Sequence, residues 1–260
     1  PCVVVRENGR WLAFENPRGV LLGTCPGDLH ALLTQIDEAV ESGQYVAGYL
    51  AYEAALGLGL STHPPEPEAP PLAWFGVFDA PRTLAAPLRP TDDVPGFCAG
   101  PWTPALSAEA HARAVNAIHE RLRAGDTYQV NLTFPLVAPC AGEPWALFVR
   151  LTAVQPTSSA AYVDLGRHVL VSASPELFFA LAGGRVTTRP MKGTASRGLE
   201  LDEDERLASV LASSPKQRAE NVMIVDMLRN DLGRVAEFGS VRVPALCEVE
   251  RYPTLLQMTS

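Results

Sequence analysis

The chain has 260 residues, 47% of them hydrophobic and 19% charged, with a formal net charge of -8. That apolar content supports a packed core, in one large domain or two small ones, and excludes a mainly disordered chain. The acidic balance argues against nucleic acid or an anionic membrane as a main partner, but leaves an anionic small substrate open, because bound cations and local fields override net charge.

The five cysteines (Cys2, Cys25, Cys98, Cys140 and Cys247) are scattered and form no C-x-x-C pair. Isolated buried thiols in a reducing cytosol are expected, rather than a disulfide framework or a zinc site. The chain opens on Pro1 with no leader pattern, which suggests a trimmed start, and no apolar run is long enough to span a membrane. A cytoplasmic protein is the expectation.

Two proline-rich stretches come first, THPPEPEAPP at 62–71 and a second at 80–104. Proline lacks the amide donor and fixes φ, so both read as surface loops that set an N-terminal subdomain (1–105) apart from the rest (106–260). Residues 107–124 read as a helix: His111, Val115, Ile118 and Leu122 recur at helical spacing and Gly125 offers a stop. The strict alternation of 128–134 then predicts a strand. Tyr128, Val130, Leu132 and Phe134 fall on one face, Gln129, Asn131 and Thr133 on the other. That polar face either meets solvent or lines a polar pocket.

An antiparallel meander is predicted over 160–190, with strands near 160–165, 168–173, 176–182 and 185–190 and turns at Gly166-Arg167 and Gly183-Gly184. In a two-residue hairpin Ala182 faces Arg185, so Glu176 is expected opposite Met191, with Lys192 on its diagonal. Cross-strand and diagonal neighbours lie within about 5–8 Å. This is either an ordinary surface pair or a carboxyl and an amine gathered for chemistry; the following Gly193 would let a ligand approach the backbone.

The last helix is expected at 214–233, with Ser214 as N-cap, Pro215 at the first position, Gln217 as capping-box partner and Gly233 as stop. Its apolar residues cover most of the circumference, which predicts a buried helix. Glu220 on such a helix is either paired with an arginine such as Arg229 or serves as a ligand for a hard cation such as Mg2+. There is no H-E-x-x-H, G-x-S-x-G, Walker or G-x-G-x-x-G motif, and the five histidines lie outside every motif above.

Several segments together resemble the chorismate-binding enzyme family: AGDTYQVNLTFPL (124–136), SASPELFF (172–179), TRPMKGTASRG (188–198), ENVMIVDMLRNDLGRVA (220–236) and GSVRVPALCEVERYPTLLQMTS (239–260). GYLAYEAALGLGL (48–60) and WFGVFD (74–79) are similar to the aminodeoxychorismate synthase branch. The resemblance implies an α+β fold of antiparallel β-sheets packed as a sandwich with outer helices. It implies Lys192 and Glu176 as catalytic, Gly193, Thr194 and Gln129 in contact with substrate, and Glu220 as a ligand to Mg2+. It also implies chorismate as substrate, ammonia from a glutamine amidotransferase subunit or domain, and an N-terminal part that could hold tryptophan.

Two positions, Gln129 and Lys192, sort the branches of this family, and Gln257 is a further departure. Isochorismate and salicylate synthases carry a water-activating lysine where this chain has Gln129. Anthranilate synthases typically carry alanine at the position of Lys192, and they and some relatives carry histidine where this chain has Gln257. The resemblance therefore points to 4-amino-4-deoxychorismate formation, with anthranilate synthesis or a non-catalytic domain of the family as alternatives. Relatives also continue beyond the position of Ser260 with a G-x-I-T-G-A-P-K stretch and further glutamates, so a truncated catalytic domain is expected.

Overall fold

A computed structural model describes residues 2–7, 9–84 and 96–260. Strands β1 (Cys2–Glu7) and β2 (Arg10–Glu15) pair antiparallel. Next come β3 (Gly19–Gly23), α1 (Leu29–Glu41), β4 (Tyr45–Leu50) and β5 (Ala73–Phe78), with β5 between the other two strands in a three-stranded antiparallel sheet. As expected, 62–71 contains neither helix nor strand. The second proline-rich stretch is less uniform. It begins with β6 (Arg82–Leu84), which pairs with β2, while its residues 85–95 lie outside the described residues.

Short strands follow: β7 (Cys98–Ala99) and β8 (Thr103–Pro104), then, after α2 (Ala108–Ala124), β9 (Leu136–Val137) and β10 (Cys140–Ala141). Helix α2 begins and ends as its sequence demands. The Ser107 hydroxyl accepts from the Ala110 amide at 3.2 Å, and Gly125 takes the left-handed conformation at φ 79. Ser107→Ala is expected to lower unfolding free energy by about 1 kcal/mol, read as a shift of the urea midpoint with an unchanged m-value.

The strand expected at 128–134 does not form. Its backbone makes no ladder among the described residues; pairing begins only at β9, opposite β8. Alternation states which side chains would share a face, but without a partner strand the extended backbone remains irregular. Tyr128, Val130 and Phe134 are exposed.

Then come α3 (Pro144–Val154), β11 (Ala161–Asp164) and β12 (Val169–Ser172). Strand β11 pairs with β12 on one side and β1 on the other, giving a five-stranded sheet in the order β12-β11-β1-β2-β6. The rest of the chain is β13 (Leu177–Ala182), β14 (Arg185–Arg189), β15 (Met191–Ser196), α4 (Leu201–Ser213), α5 (Pro215–Gly233), β16 (Glu248–Arg251) and β17 (Leu255–Thr259). The predicted four-stranded meander is thus two hairpins in separate sheets, β11–β12 and β13–β14. The four residues between them include Pro175, which has no amide to donate, and β11 spends its other edge on β1.

By contacts the chain forms two units, drawn differently from the boundary expected at residue 105. One holds the described residues up to 84 together with Pro144–Pro175; the other holds 96–143 and Glu176–Ser260. In the first, alternation along β1 builds two cores. Val4 packs with Trp11, Phe148 and Tyr162, whereas Val3 packs with Phe14, Trp74, Phe78 and Val163. The five-stranded sheet is therefore covered by α3 on one face and by the three-stranded sheet on the other, a sandwich with outer helices. In the second unit a three-stranded sheet, β15-β17-β16, packs on α4 through Leu256, Met258, Ala208 and Leu211. The fold is α+β throughout.

The five cysteines are free, but Cys25, Cys98 and Cys140 are exposed; only Cys247 is fully buried. No helix among the described residues is long and apolar enough to cross a membrane.

Candidate active site

Lys192 sits on β15, and the structure explains its placement by a bulge. Met191 pairs with Thr259 and Thr194 with Gln257, so two residues of β15, Lys192 and Gly193, oppose the single Met258 of β17. Gly193 has φ 89, a conformation L side chains rarely adopt. A Cβ there would also come within 3.0 Å of the Gln217 side chain on α5. Lys192 follows the buried Met191 and is itself half-buried. None of the ion pairs among the described residues involves Lys192.

Glu176 reaches this segment by a register different from the expected one. The pairs Ala182–Arg185, Leu181–Val186 and Ala180–Thr187 follow the tight turn, but a bulge then intervenes and Leu177 faces Arg189. This shift of one residue carries Glu176 to the level of Pro190 instead of Met191. Its side chain still turns to the expected neighbour: Glu176 Oε1 accepts from the Met191 amide at 3.4 Å, so the carboxylate lies one residue from Lys192 along the chain. Phe178, Phe179 and Leu181 on this hairpin are exposed.

Two polar anchors bracket Lys192. Upstream, Arg189 pairs with Glu250, which also accepts from Thr259 Oγ1 at 2.7 Å and Tyr252 Oη at 3.1 Å. Burial pushes the Glu250 carboxyl up, but the Arg189, Thr259 and Tyr252 hydrogen bonds outweigh it and hold it below its ordinary value. Downstream, Arg197 grips Asp204 of α4 with two bonds, Nε to Oδ1 at 2.6 Å and Nη2 to Oδ2 at 3.0 Å. Its Nη1 donates to the Tyr252 carbonyl at 2.6 Å, and the Gly198 amide adds a bond to Asp204 Oδ1 at 3.0 Å. The Arg197 hydrogen bonds draw the Asp204 carboxyl down against its burial.

Helix α5 keeps its Ser214 cap, whose hydroxyl accepts from the Gln217 amide at 3.4 Å. The expected capping-box return by the Gln217 side chain is replaced by contact with Gly193. Gly233 is the last helical residue, not a left-handed stop, and Arg234 caps the helix in a helical conformation. The helix is also less buried than its composition suggested: Asn221 and Val225 are buried, while Val222 and Met227 are exposed. Hydrophobic residues all round a helix call for cover on every face; this one has α4 and the sheet on part of it.

Glu220 is half-buried and lies 3.9 Å from Lys216, one turn earlier, not beside Arg229, which pairs with Asp226. At that distance, with a lysine 78% exposed, the pair is loose and the carboxylate keeps its lone pairs for another cation. No group of three or more His, Cys, Asp or Glu gathers among the described residues. Glu220 therefore offers a single carboxylate to a cation. Gln129 is half-buried and no side-chain hydrogen bond among the described residues joins it to Lys192 or Thr194. Lys192, Gly193, Thr194 and Glu176 are thus brought together. The participation of Gln217 and Gln257 was not foreseen: the strand pair that brings Gln257 in joins residues 63 apart, for which local pattern offers no signal.

The α+β fold is also the one the comparisons point to. The family profile of chorismate binding enzymes matches residues 27–260, and the chain belongs to that family. Similar relatives include anthranilate synthase component 1 of Thermus thermophilus, 43% identical over 187 residues, or 71% of this chain and 40% of the relative. Aminodeoxychorismate synthase component 1 of Klebsiella aerogenes is 39% identical over 73% of this chain and 40% of its own. The matched segment thus spans two fifths of each. Among solved structures, anthranilate synthase component I of Streptococcus pneumoniae superposes with TM-score 0.74 at 21% identity, covering 99% of this chain and 66% of that one. The menaquinone-specific isochorismate synthase of Escherichia coli gives TM-score 0.60 at 11% identity over 100% and 63%.

Proposed function

We propose that this chain carries out the aminodeoxychorismate synthase reaction on chorismate, with Lys192 as nucleophile and Glu176 as acid. The observation that carries the reading is the Glu176 carboxylate on the Met191 amide, immediately before a half-buried lysine at a glycine bulge. The neutral Lys192 amine forms a bond to ring C2. Both ring double bonds shift, C1=C2 to C1=C6 and C5=C6 to C4=C5, and the C4–oxygen bond breaks, while Glu176 gives its proton to the departing oxygen, which leaves as water. Ammonia then bonds to C4, the two double bonds shift back, the C2–nitrogen bond breaks, Lys192 is regained and Glu176 takes back a proton. The product is 4-amino-4-deoxychorismate, and atoms balance without a redox partner.

Glu220 is proposed to hold Mg2+, and Gly193, Thr194 and Gln129 to contact substrate. Mg2+, when bound, supplies positive charge against the ring carboxylate of chorismate. Ammonia is proposed to come from a glutamine amidotransferase subunit or domain, and the setting to be the cytoplasm, in the route to para-aminobenzoate and folate. Anthranilate synthesis is a second reading, favoured by the 43% identity to the Thermus enzyme.

Incubation with chorismate, Mg2+ and ammonium, followed by mass identification of the product, separates the two. Aminodeoxychorismate supports the first reading; release of anthranilate and pyruvate overturns it in favour of the second. Glu176→Gln keeps the shape but cannot donate the proton, and is expected to lower kcat by about a hundredfold with little change in KM, measured by steady-state kinetics.

A further inference from the structure

Gln257 has no part in the chemistry above, yet it is tied more closely to the lysine strand than any carboxylate is. It is buried, 8% exposed, on the central strand β17. Its Nε2 donates to the Gly193 carbonyl at 2.9 Å, and its Oε1 accepts from Thr194 Oγ1 at 2.9 Å. A bulge leaves ladder groups of its strand without their regular partner. Here one side-chain amide, which has a donor and an acceptor on a single arm, supplies partners to both residues that follow Lys192.

Resting on the reading of Lys192 as nucleophile, we infer that Gln257 is its positioning residue: the amide bridge to Gly193 and Thr194 holds the bulge in one shape and so sets the direction of the Lys192 stem. From the other side, Gln217 lies against Gly193, where a Cβ would meet it at 3.0 Å. The bulge is therefore held between two glutamines from different elements. Neither glutamine carries a charge, so the clamp does not compete for the lysine as a carboxylate would. This gives a physical role to the one departure from histidine noted in 239–260. A neutral imidazole also offers one donor and one acceptor, but on a rigid ring, and it loses the acceptor when protonated.

Lys192 and Lys216 are the only lysines in the chain, so the test has an internal control. The full chain is labelled with trinitrobenzenesulfonate at several pH values, and the ratio of Lys192 to Lys216 modification is read by peptide mass spectrometry. Gln257→Leu removes both bonds at nearly constant volume. The ratio is expected to rise on the order of fivefold as the bulge loosens, and kcat on chorismate to fall about tenfold while KM stays within about twofold. Thr194→Val, which removes one bond, is expected to move the ratio less and in the same direction. Thr194→Ser, which keeps the hydroxyl, is expected to match the wild-type labelling ratio.

A folded Gln257→Leu protein with an unchanged or lower ratio, or with unchanged kcat, overturns the inference. Should that variant not fold, equal ratios in Thr194→Val and Thr194→Ser do the same. The nucleophile reading fails separately, by continued turnover in Lys192→Ala, whatever the labelling shows.

Discussion

Lys192→Ala is expected to lower kcat for chorismate by at least about a thousandfold, equivalent to roughly 4 kcal/mol of barrier, with the fold and thermal midpoint unchanged. None of the ion pairs among the described residues uses the Lys192 ammonium, and the side chain is half-buried and absent from the core cluster of this unit. Lys192→Arg sharpens the point. It retains positive charge and length, so a role in holding an anionic ring would survive. A guanidinium stays protonated at working pH and cannot attack carbon. Equal loss in both variants, measured as initial rate of product formation, identifies the amine lone pair as the needed feature. Near-normal turnover in Lys192→Arg would assign the residue to binding.

The second large effect concerns stability. Asp204→Ala is expected to lower the thermal midpoint by roughly 10 °C, with Asp204→Asn losing about half as much. Asp204 is 4% exposed and receives two bonds from Arg197 and one from the Gly198 amide, with Arg251 at 3.5 Å. Removing the carboxylate leaves the Arg197 guanidinium with the Tyr252 carbonyl as its remaining hydrogen bond. The Gly198 backbone already lies close against this turn: a Cβ on Gly198 would stand 2.3 Å from the Asp204 amide nitrogen.

The same contacts give a pH signature. Because the Arg197 bonds hold the Asp204 carboxyl below its ordinary value in the folded state, its contribution is complete above the usual carboxylate range. It is lost as pH falls through the depressed folded value. Acid denaturation followed by circular dichroism is therefore expected to be less steep in Asp204→Ala than in the wild type.

Parts of this site were legible in the sequence because local geometry decides them. The Gly183-Gly184 turn specifies the pairs nearest to it, and Ser107, Gly125 and Ser214 mark helix ends by hydrogen bonds made within a few residues. Legibility ends where a strand chooses a distant partner. The bulge between Leu177 and Ala180 shifts the register, and alternation carries no sign of it, because Phe178 and Phe179 suit either face. The alternation of 128–134 foretold a strand, but no partner strand supplies the ladder. The second bulge, at Lys192 and Gly193, exists only because β15 pairs with β17, some sixty residues later. Gly193 was visible as a permissive residue, but the two glutamines that enclose it were not. In the sequence Gln217 reads as a capping-box partner and Gln257 as a departure from histidine.

The central claim is a covalent bond between Lys192 and the ring, and it is most directly tested by peptide mass spectrometry after incubating the protein with chorismate and Mg2+ in the absence of ammonia. With no amine to expel it, the lysine is expected to retain an adduct equal in mass to chorismate less one water. The adduct should lie on the peptide containing Lys192, be absent from that containing Lys216, and disappear when ammonium is added. Product formation on adding ammonium, with an unmodified Lys192 peptide at every time point in a trapped sample, would contradict nucleophilic catalysis by this residue.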